Sequence, residues 1–181
     1  MKGIVFTEFA EMVENSFDAD MMDDLIDATD PASGGAYTTI GTYDYNELIN
    51  MVVELSNRTE IPVPKLVNTF GHHLGKVFAE KYSAFFQEAD CLVDFLKSVD
   101  NHIHVEVKKL YPDAELPEFT FDDSSEGEFY LNYSSSRHLA DLAHGLIEET
   151  CHYYGENWKI ERSDKEEGSL QKSQFKLSKL S

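Results

Sequence analysis

Hydrophobic residues recur along the first half of the chain at three- and four-residue steps, with polar residues filling the positions between them. Val5, Phe9, Met12, Val13 and Phe17 lie near one face of a helix over residues 3–17, and Glu8, Glu11 and Glu14 fall on others. A short helix over 19–28 follows, then the turn-rich stretch DPASGGAYTTIG, residues 30–41, which predicts a loop. Leu48, Val52 and Leu55 mark a helix from Tyr43 to Asn57. Pro62 and Pro64 open a long helix over about 63–81, because the first turn has no use for the N–H that proline lacks; Leu66, Phe70, Leu74 and Phe78 form its stripe. The last helix of this half starts near Glu88 and puts Leu92, Leu96, Val99, Ile103, Val107 and Leu110 on one stripe.

After Pro117 the period drops from 3.6 to 2. Phe119 and Phe121 alternate in residues 118–123, and Phe129, Leu131 and Tyr133 alternate in 128–135, with a Ser-Ser-Glu-Gly turn between them: a hairpin. A helix over 139–154 ends at Gly155, and two strands, WKIER and SQFKLSKL, follow across a polar turn. Helices first, then strand, strand, helix, strand, strand, is an α+β domain with a four-stranded antiparallel sheet. The 181 residues suit one domain with a sizeable core.

Charge narrows the partners. Thirty-four acidic residues against 15 basic ones give a net charge of −19, which excludes nucleic acid and disfavours anionic membranes, since both need clustered cations. The acidity is read as solubility, with docking to a basic partner as the alternative. Glu8, Glu11 and Glu14 interrupt the N-terminal apolar residues, so neither a signal peptide nor a membrane span is expected. Cys91 and Cys151 stand alone, which fits a reducing compartment and a cytoplasmic location.

Seven histidines raise the question of a metal. His72 and His73 are neighbours on a helix and point about 100° apart, His102 and His104 diverge likewise, and His138, His144 and His152 lack carboxylate or cysteine spacing, so no conventional zinc site is expected. There is no G-x-S-x-G, phosphate loop or H-E-x-x-H. His104 sits at the edge of the apolar stripe beside Val93, Asp100 and Tyr111, while His102 takes the opposite edge; spacing alone does not choose between them. An inward histidine is by itself commonly a satisfied core residue. In the segment YSSSR, however, Tyr133, Ser135 and Arg137 alternate, so an extended backbone turns phenol, hydroxyl and guanidinium to one side as a donor cluster for a carboxylate or phosphate. Histidine, donor cluster and surplus apolar residues together suit a planar apolar cofactor with acidic tails, as haem is.

These residues resemble the haem nitric oxide and oxygen binding (H-NOX) family, related to the sensor domain of soluble guanylate cyclase. The resemblance runs through MKGIVFTEF, IPVPKLVNTFG at 61–71, HVEVKKLYP at 104–112 and the Y-x-S-x-R of Tyr133, Ser135 and Arg137. It implies haem b as cofactor. It makes His104, seven residues before Tyr111, the proximal iron ligand in preference to His102. Tyr133, Ser135 and Arg137 would bind the propionates, and Pro117 would press on the macrocycle. Val5, Phe9, Leu74, Phe78, Leu142 and Leu146 would line the pocket. It further implies a single domain with a helical N-terminal part, about 1–61, and a haem-holding part with the sheet, about 62–181.

Relatives that hold oxygen place a tyrosine five residues after the motif's arginine; here that position is Leu142, and the residues that support the tyrosine correspond to Phe9 and Leu74. Bound oxygen needs a hydrogen-bond donor far more than nitric oxide or carbon monoxide does. The expectation is therefore a nitric oxide sensor that also takes carbon monoxide, disfavours oxygen and is not an enzyme. With no output region expected on 181 residues, the signal would pass to a separate protein such as a histidine kinase, a diguanylate cyclase/phosphodiesterase or a chemotaxis protein. Two rivals are a haem peroxidase, which would need a distal histidine or arginine, and a haem-free module of the same fold that binds a small apolar ligand or a protein.

Overall fold

A computed structural model of the chain describes residues 1–122 and 127–180. The predicted turn at 124–127 lies outside them, apart from Gly127. The N-terminal helices are α1 (Gly3–Ser16), α2 (Ala19–Thr29) and α3 (Tyr45–Thr59). Asp18 caps α2 by accepting the Met21 N–H at 2.7 Å, and Asp44 caps α3 through the Asn46 N–H at 2.9 Å. That second cap is why α3 begins two residues later than its apolar pattern suggests. Freed from the helix, Tyr43 packs its ring on Phe6 and Tyr37. Phe6, Phe9, Met12, Leu25, Met51 and Leu55 form the core of this part, closed by Leu66, Phe70 and Leu74 of α4 (Val63–Lys81).

The sheet has the order β1-β2-β4-β3, antiparallel throughout, from β1 (Glu118–Asp122), β2 (Glu128–Ser135), β3 (Trp158–Glu167) and β4 (Leu170–Lys179). Phe129, Leu131 and Tyr133 of β2 alternate inward and join Phe175 and Leu177 of β4. Helix α8 (Ala140–Tyr154) covers this face and also packs on α4. The approach of α4 to α8 is close enough to exclude side chains. A Cβ on Gly71 would collide with the Leu142 carbonyl oxygen, and one on Gly145 would collide with the Asn68 carbonyl oxygen.

After a short helix α5 (Ser83–Gln87), the single helix expected from Glu88 is instead three pieces that start only at Leu92: α6 (Leu92–Ser98), a π-helical turn (Val99–Ile103) and α7 (His104–Leu110). A cap from far along the chain explains the start of α6: the Leu92 N–H donates to Glu156 Oε1 at 2.9 Å. The π turn inserts one extra residue, which rotates everything after it by about 100°. Leu110, expected on the buried stripe, is consequently 75% exposed, and α7 has no fully buried residue. His104, expected at the stripe's edge, turns inward.

Candidate functional site

A cavity of about 790 Å³ lies between the α4–α8 wall, the 92–119 segment and the end of β2. Its walls are mainly apolar, the form of a small-molecule or cofactor site. Leu74 and Phe78 reach it from α4, Leu142 and Leu146 from α8, and Val5 from α1. His104, Pro117, Tyr133, Ser135 and Arg137 also line it. Phe9 does not. It is wholly buried one layer behind, edge-on to Phe70 at 5.4 Å between ring centres, because it lies on the part of α1 that faces α4. His102 is not among the lining side chains either, and its ring meets the edge of Phe85.

His104 presents an unusual electrostatic state. Its side chain is 16% exposed, and Nδ1 lies 3.5 Å from Asp100 Oδ1, one turn back, without the alignment of a hydrogen bond. Nδ1 is thus a buried nitrogen with no hydrogen-bond partner. Burial lowers the imidazole pKa below its ordinary value, with the Asp100 charge opposing, so the ring is neutral near pH 7 and keeps a lone pair. The Phe119 ring packs on it at 5.7 Å and meets Tyr133 at the same distance. A neutral imidazole held in this way is a nitrogen ligand for a transition metal.

At the other end of the cavity the donors gather, though not on one strand as the alternation predicted. β2 ends at Ser135. Arg137 sits in the turn beyond it, and its backbone N–H donates to Ser135 Oγ at 3.1 Å, folding the arginine back toward the cavity. Burial raises the Tyr133 phenol above its ordinary value, so it remains a proton donor. The guanidinium already holds a carboxylate: Arg137 Nη2 donates to Glu115 Oε2 at 2.7 Å. Glu115 is 78% exposed and free to swing away, which leaves the fork available to the acid group of a ligand.

Asp100 beside His104 and Phe119 on the inward phase of β1 stand where the spacing predicts, and Glu115 is the neighbour that sequence reading passed over. Two hydroxyls on the lining were missed as well. Thr150 Oγ1 donates to the Leu146 carbonyl oxygen at 2.7 Å, which commits its proton, and Tyr82 follows the end of α4, partly exposed and beside Phe78. A buried unpartnered imidazole, apolar walls and a carboxylate-binding rim fit haem, an apolar macrocycle with a metal at its centre and two acid tails.

Comparison with known proteins agrees with this geometry. A family model described as haem-NO-binding matches residues 2–162. The structure superposes on the Fe(II) unliganded H-NOX protein from K. algicida with a TM-score of 0.92 at 35% identity, covering 100% of this chain and 97% of that one. It resembles in fold a mutant of the T. tengcongensis H-NOX protein, with a TM-score of 0.90, 20% identity and coverage of 100% and 98%. It also resembles the S. oneidensis H-NOX protein in the Fe(II)NO ligation state, with a TM-score of 0.85, 24% identity and coverage of 98% and 99%. No curated protein matches the chain. Among the described residues no helix is long and apolar enough to cross a membrane.

Proposed function

This chain belongs to the haem-NO-binding (H-NOX) family, and from that premise we propose that it holds haem b in the cavity and senses nitric oxide there. The observation that carries the reading is His104: a neutral, buried imidazole whose Nδ1 has no hydrogen-bond partner, on a cavity whose opposite end binds carboxylates. His104 would hold the iron. Tyr133, Ser135 and Arg137 would hold the propionates, Arg137 exchanging Glu115 for one of them. Pro117, immediately before β1, would bear on the macrocycle, and Val5, Leu74, Phe78, Leu142 and Leu146 would enclose it, with Phe9 as backing. Bound haem would supply a ferrous iron that takes nitric oxide or carbon monoxide, nitric oxide weakening the bond to His104.

Leu74 and Leu142 offer no donor to bound oxygen, and the Thr150 proton is already committed, which supports discrimination against oxygen. Release of His104 would free the π turn and α7. That movement has a path outward. Asp113, just past α7, is held by Lys2 Nζ at 3.1 Å and by the Thr42 hydroxyl at 2.9 Å, and Lys2 lies over the Tyr111 ring at 4.5 Å. Movement of α7 therefore pulls on the N-terminal helical part, about 1–61, relative to the rest, and changes the surface offered to a separate signalling protein. A histidine kinase or a diguanylate cyclase/phosphodiesterase is such a protein. The role is sensing rather than catalysis.

The test is the anaerobic absorption spectrum of the ferrous protein with and without nitric oxide, beside His104→Gly. A shift to a five-coordinate nitrosyl spectrum is expected, with the variant taking up haem properly only when imidazole is supplied. Wild-type protein that holds no haem after reconstitution would overturn the assignment, and a stable oxy spectrum in air would overturn the selectivity.

A further inference from the structure

The outer face of the α4–α8 pair, away from the cavity, carries histidines that the mechanism above does not use. On sequence spacing His72 diverges from His73, and His152 has no partner. The fold supplies the partner, because the glycine contact draws α4 onto α8 and sets His72 against Glu148 and Glu149. His72 Nδ1 lies 3.1 Å from Glu149 Oε2, and His152 Nδ1 lies 3.4 Å from the same oxygen. The two imidazole rings stand nearly parallel with centres 6.0 Å apart, and one ligand atom from each of the three residues falls within 4.8 Å of the others.

We propose that His72, Glu149 and His152 form a site for a divalent transition metal of the zinc class, which ties α4 to α8. A tetrahedral ion with bonds near 2.1 Å requires donors roughly 3.4 Å apart, the spacing that two of the three pairs already show. Two imidazoles and one carboxylate select zinc over magnesium or calcium, which favour oxygen alone. Glu148 supplies the orienting group that metal-bound histidines need. Its Oε2 lies 3.0 Å from the other nitrogen of His72 and accepts the Asn68 amide N–H at 2.9 Å, fixing the tautomer that leaves Nδ1 for the metal. Glu149 is 14% exposed and held in place, whereas His152 is 70% exposed and can swing inward to complete the triangle, leaving the fourth position to water.

Zinc titrated into the haem-loaded protein in competition with a chromophoric zinc indicator tests this, with His152→Ala, Glu149→Gln, Glu148→Gln and the distant His138→Ala beside wild type. One tight equivalent is expected. His152→Ala and Glu149→Gln should each weaken it at least about tenfold, Glu148→Gln about 10–100-fold, and His138→Ala not at all. Calcium and magnesium should not displace it. Tight binding that survives His152→Ala, or wild-type binding no tighter than that of a His72→Gln/His152→Ala double variant, would overturn the site. His152 is largely exposed, so its loss leaves the fold intact. The haem spectrum is read in the same samples, so failure of this site and failure of the haem assignment are told apart.

Discussion

The two walls of the cavity are built in opposite ways. The α4–α8 wall is joined backbone to backbone at Gly71 and Gly145, and outside the contact Asn68 and His72 bind Glu148 and Glu149 across the helices. The facing wall, residues 92–117, is cut into short pieces, contains a π turn, and leaves α7 without a fully buried residue. It is tethered mainly near its ends, by the Glu156 cap on Leu92 and by the hold of Lys2 and Thr42 on Asp113. A closely packed wall transmits force and a loosely packed one yields to it. His104 sits on the wall that yields. On the proposed reading a change in the bond His104 makes would move α7, while the opposite wall would keep the pocket's shape.

Deleting Asn101, an exposed residue of the π turn, is the largest way to break this contrast. The turn should revert to α-helix and rotate His104 by about 100° away from the cavity. Haem stoichiometry should then fall to that of His104→Gly, with the melting temperature little changed.

Attacking the stiff wall should have the reverse signature. Gly145→Ala places a Cβ against the Asn68 carbonyl and forces the helices apart, at a cost of about 2–3 kcal/mol. The melting temperature should drop by roughly 5–10 °C in a calorimetric scan. His104 should keep its spectrum as long as the fold survives.

At the rim, Arg137→Ala should speed haem loss to an acceptor globin about tenfold, and Tyr133→Phe less, since the arginine alone brings charge to a carboxylate.

Smaller effects separate the walls by chemistry. Burial pushes the Cys151 thiol on α8 up to about 12, so at pH 8 roughly one molecule in ten thousand carries the thiolate. Cys91, at the start of the yielding wall, is only half-buried. Labelling with an aromatic disulfide should therefore modify Cys91 in the native protein and reach Cys151 only on unfolding. Comparable rates at both would show that α8 opens as readily as the segment facing it.

The stiff wall is legible in the sequence and the yielding wall is not, for a physical reason. The bounds of α4 follow from its prolines and its regular stripe, and the extents of α8, β1 and β2 follow nearly as well from local pattern, whereas β3 runs five residues past the predicted WKIER and β4 begins three residues before the predicted SQFKLSKL, through a polar stretch whose pairing no apolar alternation marks. The 88–110 region depends on the Glu156 carboxylate, which accepts the Leu92 N–H from far along the chain, and on a π turn that no local periodicity reports, so its pattern reads as a single amphipathic helix with Leu110 inside. Around the cavity, ten of the eleven residues named from the sequence are gathered. The exception, Phe9, shares its helical face with true lining residues and differs from them only in lying beneath α4. Glu115 escapes a sequence reading because its role comes from a neighbour in space, the Arg137 guanidinium. The meeting of His72 with His152 escapes it for the same reason, since it needs the crossing of two helices separated by most of the second half of the chain.

Hydrogen–deuterium exchange of the haem-loaded ferrous protein before and after nitric oxide addition tests the division between the walls most directly. Faster exchange is expected across residues 99–114, with a smaller rise in α1 reached through Lys2 and Asp113, and no change in the glycine contact of α4 with α8. Equal change in both walls, or unchanged exchange around His104 when nitric oxide has bound, would contradict it.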